Sequence, residues 1–375
     1  MVAAWIFIRA YFFLIISAIS FNISSKITLH IFAESKDEPG PKFPFSYMSF
    51  LNVKAIFRRV SKDIELENIN FKQQQFQKIA IAGETGSGKS SLLKIIAGLL
   101  QPDSGKVEFE GKRVIGPDEK LIPGHPGICY LSQHFELPNY LTVEQVLSYA
   151  NNLTDEEAFA LFDICHISHL LNRRTDQLSG GERQRIALAK LLITSPKLLL
   201  LDEPFSNLDM IHKRILKAVI KDIGEKLNIT CMLVSHEPAD TLSWADEILV
   251  MKDGQILQQG TPKHIYTKPV NEYAAGLFGS YNLLSLAQAE AFSHFHEIEL
   301  NGSDLFIRPE KLKIVESEQA VKGTIHKIRF FGSFSELDIV CSGSMLTVKT
   351  TCTTVSEGND VFLALNPSDI WHIDE

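Results

Sequence analysis

The stretch GETGSGKSS, residues 83–91, carries the clearest structural signal in this sequence. Its three glycines and one lysine lie between the apolar run IAIA and the helix-like run LLKIIAGLL. Glycines tolerate positive φ and carry no Cβ, so successive backbone N–H groups can point into one concavity that suits an anion. The spacing Gly-x-x-x-x-Gly-Lys-Ser, with a strand before it and a helix after it, predicts a phosphate-binding loop.

The side chains of this loop supply a positive charge and a metal ligand. We expect Lys89 to reach the β- and γ-phosphates of a nucleotide, and the Ser90 hydroxyl to ligate Mg²⁺. The alternative is a glycine-rich turn in which the lysine has no such role. The predicted nucleotide contacts in the loop are Gly83, Glu84, Thr85, Gly86, Ser87, Gly88, Lys89, Ser90 and Ser91.

The composition of the chain is that of a globular protein. With 375 residues, of which 45% are apolar, the chain has the length of about two to three domains. A net charge of −8 argues against a protein that binds nucleic acid through a basic surface, so no nucleic-acid partner is expected. The five scattered cysteines contain no Cys-x-x-Cys pair and are typical of buried thiols in a reducing compartment.

The first 47 residues differ from this picture. Residues 10–25, AYFFLIISAISFNISS, are uncharged and largely apolar. At about 1.5 Å per residue the run spans about 24 Å, short of the roughly 30 Å hydrocarbon core of a membrane. We interpret residues 1–47 as an extension upstream of a native start at Met48, ending in a proline-rich linker. The alternative is a signal peptide or an N-terminal anchor.

Beyond Met48, apolar strand patterns alternate with helical ones. A helix is predicted over residues 90–100, and residues 140–195 are mostly helical in pattern but interrupted by LSGGERQR. An Asp253-Gly254 turn predicts a hairpin. Buried strands are predicted at residues 79–82, 127–133, 197–201 and 231–236. This order favours an α/β fold with a mostly parallel sheet that is covered on both faces.

Polar side chains follow three of these strands. They are Gln133, the pair Asp202 and Glu203, and His236. Ligands of open α/β sheets bind at the carboxyl ends of the strands, so these side chains are expected to converge with Lys89 on one nucleotide. Taken singly, such a histidine is more often structural, and Asp-Glu before a proline is more often a solvated turn.

The complete set of motifs resembles the ATP-binding subunit of an ABC transporter. It consists, in this order, of GETGSGKSS, Gln133, LSGGERQR, LLLLDEP, SNLD and VSH, and the resemblance covers roughly residues 49–281. It implies an ABC-type P-loop ATPase domain with a helical subdomain, using ATP and Mg²⁺. It further implies that Asp202 holds the metal through water, that Glu203 is the general base, and that His236 contacts the γ-phosphate. Gln133 would touch the metal and sense the membrane partner.

The same resemblance implies a second copy of the chain. In this family the signature of one subunit closes over the ATP that the loop of the other subunit holds. The signature residues are Ser179, Gly180, Gly181 and Glu182, and the loop at Asp209 would link the two sites. Each motif occurs once, so a complete site needs two copies of the chain or a paralogous subunit.

Three positions depart from the family pattern. No aromatic residue occupies the usual adenine-stacking place near residues 58–60, and Phe57 is the nearest candidate. Ser91 replaces the commoner threonine, and Glu182 stands where many importers have glutamine. None of these changes removes the Ser90 hydroxyl or the glycine backbone.

The tail after residue 281 contains five short alternating stretches, which predict a small all-β barrel. The phrase FIRPEKLKI resembles the accessory barrel of importer ATPases, and a purely structural appendage is the alternative. The predicted domains are therefore residues 48–285 and 286–375. The resemblance implies a peripheral ATPase at the cytoplasmic face of the inner membrane, which drives import through separate permease subunits touched by HFELPNYLTVEQVL. An exporter ATPase and a soluble non-transport ATPase of the same class are the alternatives.

Overall fold

The computed structural model describes residues 49–60, 63–133, 137–206, 208–294, 304–317, 319–351 and 354–373. The strands are β1 (Leu51–Val60), β2 (Asp63–Gln73), β3 (Ile79–Ala82), β4 (Ser104–Phe109), β5 (Lys112–Arg113), β6 (Ile128–Leu131), β7 (Leu198–Asp202), β8 (Thr230–Val234), β9 (Glu247–Lys252), β10 (Gln255–Gly260), β11 (Asn282–Leu284), β12 (Asp304–Ile307), β13 (Lys313–Val315), β14 (Val321–Phe330), β15 (Ser335–Cys341), β16 (Ser344–Thr350), β17 (Asp360–Ala364) and β18 (Trp371–Ile373). The helices are α1 (Lys89–Ile96), α2 (Val143–Ser148), α3 (Asp155–Ile164), α4 (Gly180–Leu192), α5 (Met210–Lys226), α6 (Pro238–Leu242), α7 (Pro262–Thr267), α8 (Glu272–Leu277) and α9 (Leu286–Ser293). The interpretation of residues 1–47 and of the start at Met48 lies outside the described residues.

The phosphate loop leaves the middle of a six-stranded sheet within the described part of the chain. The strand order is β10-β9-β3-β8-β7-β6, with β9, β3, β8, β7 and β6 parallel and β10 antiparallel to β9. Strands β3, β7 and β8 are buried at every position, which explains their unbroken apolar sequences. The parallel sheet predicted from the sequence is confirmed, and so is the hairpin at Asp253-Gly254.

A second sheet is antiparallel. Its apolar side chains, those of α1 and those of the parallel sheet form one hydrophobic core. The strand order of this second sheet is β2-β1-β4-β5. Helix α1 ends at Ile96, four residues before the predicted end at Leu100. The reason is Gly98, whose φ of +73° turns the chain out of the helix.

The helical region between β6 and β7 contains α2, α3 and α4. Each of these helices begins with a capping box, at Thr142, Thr154 and Ser179 respectively. The signature does not interrupt a helix, as the sequence pattern suggested, because Ser179 is the N-cap and Gly180 the first residue of α4. Its two glycines therefore lie in the first turn, where four backbone N–H groups have no partner within the helix.

The described part of the tail, residues 282–294, 304–317, 319–351 and 354–373, is all-β apart from α9 and short 3₁₀ turns, which confirms the predicted fold class. It contains a three-stranded sheet, β11-β12-β18, and a five-stranded sheet, β13-β17-β14-β15-β16. Its apolar side chains, among them Phe292, Leu337 and Leu363, form a core of their own. The domain boundary at residues 285 and 286 stays a prediction. None of the helices in the described ranges combines the length and the apolar character needed to cross a membrane.

Candidate active site

The phosphate loop is held in a conformation that only glycine allows at several positions. Gly86 and Gly88 have φ of +90° and +91°. A Cβ at Gly83 would lie 2.3 Å from the Met251 carbonyl oxygen, and one at Gly88 would lie 2.7 Å from the Glu65 carbonyl oxygen. The glycine spacing noted in the sequence therefore reflects close backbone packing on both sides of the loop.

Lys89 lies inside the loop and is 5% exposed. Its ammonium donates to the carbonyl oxygens of Gly83 at 2.9 Å and Glu84 at 2.6 Å, and to the Ser87 hydroxyl at 3.2 Å. Burial lowers the pKa of Lys89, while the nearby carboxylates of Glu203 and Asp202 oppose that shift. The lysine thus occupies the concavity in which a phosphate would be bound.

Ser90 and Asp202 lie side by side although they are far apart in sequence. The Ser90 hydroxyl donates to Asp202 Oδ1 at 3.0 Å, and the Tyr130 hydroxyl donates to Asp202 Oδ2 at 2.7 Å. Asp202 is 3% exposed, and burial together with this hydrogen bond raises the pKa of Tyr130. A hydroxyl and a carboxylate oxygen at this distance are the hard oxygen ligands that Mg²⁺ prefers, so these residues fit the metal predicted from the sequence.

Glu203 follows β7 directly and is contacted by three polar side chains. Its Oε2 accepts from Gln133 Nε2 at 3.2 Å and from the Ser206 hydroxyl at 3.2 Å, and lies 3.4 Å from His236 Nδ1. Glu203 has a φ of +47°, which is uncommon for a residue with a side chain and aims its carboxylate at this group. The polar residues that follow β6, β7 and β8 therefore lie together, as predicted. Ser206 also contacts Glu203 and was not predicted from the sequence.

The signature residues form the start of α4. The Ser179 hydroxyl accepts from the Glu182 N–H at 3.3 Å, and the Glu182 carboxylate accepts from the Ser179 N–H at 2.8 Å. These hydrogen bonds and the nearby Arg173 lower the pKa of Glu182 against the opposing effect of burial. A Cβ on Gly180 would meet nothing within 4 Å, so the backbone there is open to a ligand from outside.

Asp209 caps the next helix, α5. Its Oδ1 accepts the N–H groups of Ile211 and His212, both at 2.9 Å, and its Oδ2 lies 2.6 Å from His212 Nδ1. These bonds lower the pKa of Asp209. Within the described residues neither Asp209 nor the signature makes a hydrogen bond or ion pair with the phosphate loop. The structure brings together the loop and the residues predicted to hold the metal and to act as the base, and it leaves this second group apart from them.

Two contacts of the loop were not foreseen from the sequence. The Ser91 hydroxyl donates to Glu65, which also accepts from Arg58 Nε at 2.7 Å, so Ser91 is engaged by β2. The Glu84 N–H donates to the Tyr273 hydroxyl at 2.9 Å. Tyr273 lies 189 positions further along the chain, and no sequence spacing marks it. The position of Tyr130 is a weak indication of a role in the site, because its hydroxyl is a polar group near the end of the mainly apolar strand β6.

Adenine stacking remains the least defined part of the site. Phe57 lies in β1, and the guanidinium of Arg59 is 5.7 Å from the centre of its ring. The assignment of Phe57 as the adenine contact stays a prediction.

Two family models match this chain. The family model described as ABC transporter matches residues 66–206, and the model described as TOBE domain matches residues 305–373. The sulfate/thiosulfate import ATP-binding protein of Synechocystis is 32% identical over 302 residues, which are 76% of this chain and 84% of that protein. The spermidine/putrescine import ATP-binding protein of Spiroplasma citri is 30% identical over 347 residues, covering 86% of this chain and 97% of that protein.

A further relative and a solved structure extend the comparison. An Fe(3+) ions import ATP-binding protein of Pectobacterium atrosepticum is 27% identical over 350 residues, which are 87% of this chain and 97% of that protein. The ADP conformation of an ATP-binding cassette of an ABC transporter aligns with a TM-score of 0.52 at 25% identity. It covers 59% of this chain and 96% of that structure.

Proposed function

The chain belongs to the family of ABC transporter import ATP-binding proteins, and we propose that it drives solute uptake by hydrolysing ATP at the carboxyl ends of β3, β7 and β8. The observation that carries the proposal is the convergence of Lys89, the Ser90–Asp202 pair and Glu203 beside one glycine-rich loop. In phosphoryl transfer the protein mainly positions groups and neutralises charge, and these residues supply both functions.

Glu203 is proposed as the general base. Its carboxylate, fixed by Gln133 and Ser206, would accept a proton from the attacking water as the water oxygen bonds to the γ-phosphorus. The bond between the γ-phosphorus and the bridging oxygen would break at the same time, and ADP would leave with the electron pair of that bond. His236 lies beside it with a half-exposed ring and would donate to a γ-phosphate oxygen. Lys89 would exchange its contacts with the loop carbonyls for the phosphates.

Ser90, Asp202 and Gln133 are proposed to hold Mg²⁺. The bound ion would neutralise charge on the β- and γ-phosphate oxygens. Tyr130 would fix the orientation of Asp202 by donating to its second carboxylate oxygen.

A complete site is proposed to form between two copies. The open backbone at Gly180, with Ser179, Gly181 and Glu182 beside it, would present N–H groups and a helix N-terminus to the nucleotide held by the partner's loop. Asp209 would lie at the junction of the two sites. A paralogous ATPase could take the place of one copy.

The membrane partner is proposed to be a pair of permease subunits, with this chain bound peripherally at the cytoplasmic face. The segment HFELPNYLTVEQVL, residues 134–147, is the part expected to contact them. The relatives named above are import proteins for sulfate or thiosulfate, for spermidine and putrescine, and for Fe(3+). We propose that the cargo is likewise a small charged solute, recognised by the permease and not by this chain.

A Glu203→Gln variant tests the chemistry and the partner together. We expect kcat to fall about 10² to 10⁴-fold, because the base is lost, while ATP affinity is retained. The control is Glu225→Gln, an acid on α5 whose side chain is 51% exposed, which should hydrolyse ATP at the normal rate. Affinity capture of Glu203→Gln from native membranes with ATP, followed by mass spectrometry, should retain a polytopic permease. Capture of ribosomal or repair proteins without a permease would contradict the transport function.

A further inference from the structure

The first peptide of the phosphate loop is held by a side chain from α8. The Tyr273 hydroxyl accepts the Glu84 N–H at 2.9 Å and donates to the Met251 carbonyl oxygen at 3.1 Å. Met251 lies in β9, next to the strand that leads into the loop. The ammonium of Lys252 lies 4.8 Å from the centre of the Tyr273 ring. One hydroxyl therefore joins the entrance of the loop to the sheet, and its position depends on α8.

Helix α8 is in turn held by Arg308, a residue of the tail. Arg308 is 2% exposed, and its Nη1 donates to the carbonyl oxygens of Ala275 at 3.1 Å, Gly279 at 3.0 Å and Ser280 at 3.1 Å. Ala275 lies within α8, and the other two follow its end. The Nε of Arg308 donates to the Tyr266 carbonyl oxygen at 3.0 Å, near the end of α7. A single guanidinium thus binds the carboxyl ends of two consecutive helices.

The chemistry of this contact explains why an arginine is buried there. Arg308 has no ion pair among the described residues, but the last carbonyl oxygens of a helix carry partial negative charge that stabilises a cation. Its guanidinium carbon lies 4.1 Å from the centre of the Tyr266 ring and 4.9 Å from that of Phe306, so the planar group also stacks on two aromatic rings. A lysine has neither the fork nor the flat face required.

Two further contacts fix the tail at the same place. The Tyr266 hydroxyl donates to Glu310 at 2.7 Å, and the Trp371 indole donates to the Pro269 carbonyl oxygen at 3.0 Å. The tail therefore forms hydrogen bonds with α7, with α8 and with the chain between them.

We propose that Arg308 and Tyr273 are positioning residues that transmit the docking of the tail to the phosphate loop and so set its affinity for ATP. Arg308 holds the end of α8, α8 presents the Tyr273 hydroxyl, and that hydroxyl fixes the Glu84 peptide at the entrance of the loop. A tail that shifts away from α8 then loosens the loop without touching the nucleotide. The proposal rests on the proposed function of residues 83–91 as the ATP-binding loop.

The first test replaces Tyr273 by phenylalanine, which removes only the bridging hydroxyl. We expect the KM for ATP to rise about fivefold, as for the loss of one hydrogen bond, with kcat changed less than about twofold. The matched control is Tyr149→Phe, at a tyrosine that is 79% exposed and lies outside α8 and the tail. An unchanged KM in Tyr273→Phe would overturn the proposal.

The second test replaces Arg308 by lysine, which keeps the charge and loses the fork. Hydrogen exchange of the full chain, read by mass spectrometry on peptides that cover residues 83–90, should be faster than in the wild type, and the KM for ATP should rise. The control is Arg329→Lys, whose ion pair with Asp338 at 2.5 Å lies within the tail itself. Hydrogen exchange of the peptides that cover residues 304–315 reports whether the tail stays docked.

The double variant separates a shared route from two independent defects. If Arg308 acts through Tyr273, the KM of Tyr273→Phe/Arg308→Lys should be close to that of the more affected single variant. Multiplying effects, or loop exchange in Arg308→Lys equal to that of Arg329→Lys, would overturn the proposal. A Lys89→Ala variant that still binds ATP normally would instead contradict the ATP-binding loop on which it rests.

Discussion

Two hydroxyl groups, those of Ser90 and Tyr130, hold the carboxylate of Asp202. The contribution of Tyr130 can be tested by a single substitution. Tyr130→Phe removes the 2.7 Å hydrogen bond to Oδ2 and leaves the Ser90 contact to Oδ1 in place. Loss of a group that orients a metal ligand typically weakens metal binding about 10 to 100-fold, so the Mg²⁺ concentration for half-maximal ATPase activity should rise by about tenfold or more. Tyr149→Phe, at a residue that is 79% exposed, is the control. Equal Mg²⁺ requirements in the two variants would count against Tyr130 as the residue that orients Asp202.

At the scale of elements, the start of α4 contains two adjacent glycines with different surroundings. A Cβ on Gly180 meets nothing within 4 Å, whereas one on Gly181 would lie 2.6 Å from Cδ2 of His212. We expect Gly181→Ala to lower the free energy of unfolding by about 1–3 kcal/mol, because the His212 ring must move. Gly180→Ala should leave the stability nearly unchanged yet reduce ATPase activity, because the added methyl occupies the surface offered to a second copy. Thermal denaturation measures the effect on stability, and steady-state ATPase assays measure the effect on activity. Full activity of Gly180→Ala would contradict the proposal that the open backbone at Gly180 contacts the nucleotide held by a second copy.

Some of the strands and helices around the site could be predicted from the sequence, and others could not. Strands β3, β7 and β8 were predictable because a sheet covered on both faces needs unbroken apolar runs, and their polar ends then had to meet. The end of α1 was missed because Gly98 looks tolerable in an apolar helical pattern until its positive φ is known. The contacts of Tyr273 and Arg308 could not be predicted. Both side chains bind backbone groups of other segments, and every residue has such groups whatever its side chain, so no residue type in the sequence marks the partner.

At the scale of the whole molecule, the ATP loop and the signature stand apart within one chain, and this separation predicts complementation between two inactive variants. Lys89→Ala removes the ammonium that is proposed to bind the phosphates, and Gly180→Asp places a carboxylate on the open start of α4. A mixed dimer has one site with both defects and one intact site. An equimolar mixture should therefore regain about a quarter of wild-type ATPase activity, since half of randomly formed dimers are mixed.

The matched control mixes Lys89→Ala with the double variant Lys89→Ala/Gly180→Asp. Every site in that mixture lacks the loop lysine, so no activity should return. Size-exclusion chromatography with ATP confirms that both mixtures form dimers to the same extent. If the first mixture shows only the sum of the separate activities, the ATP site is completed within one chain, and the separation of loop and signature must then be closed by a movement of α4 toward Lys89.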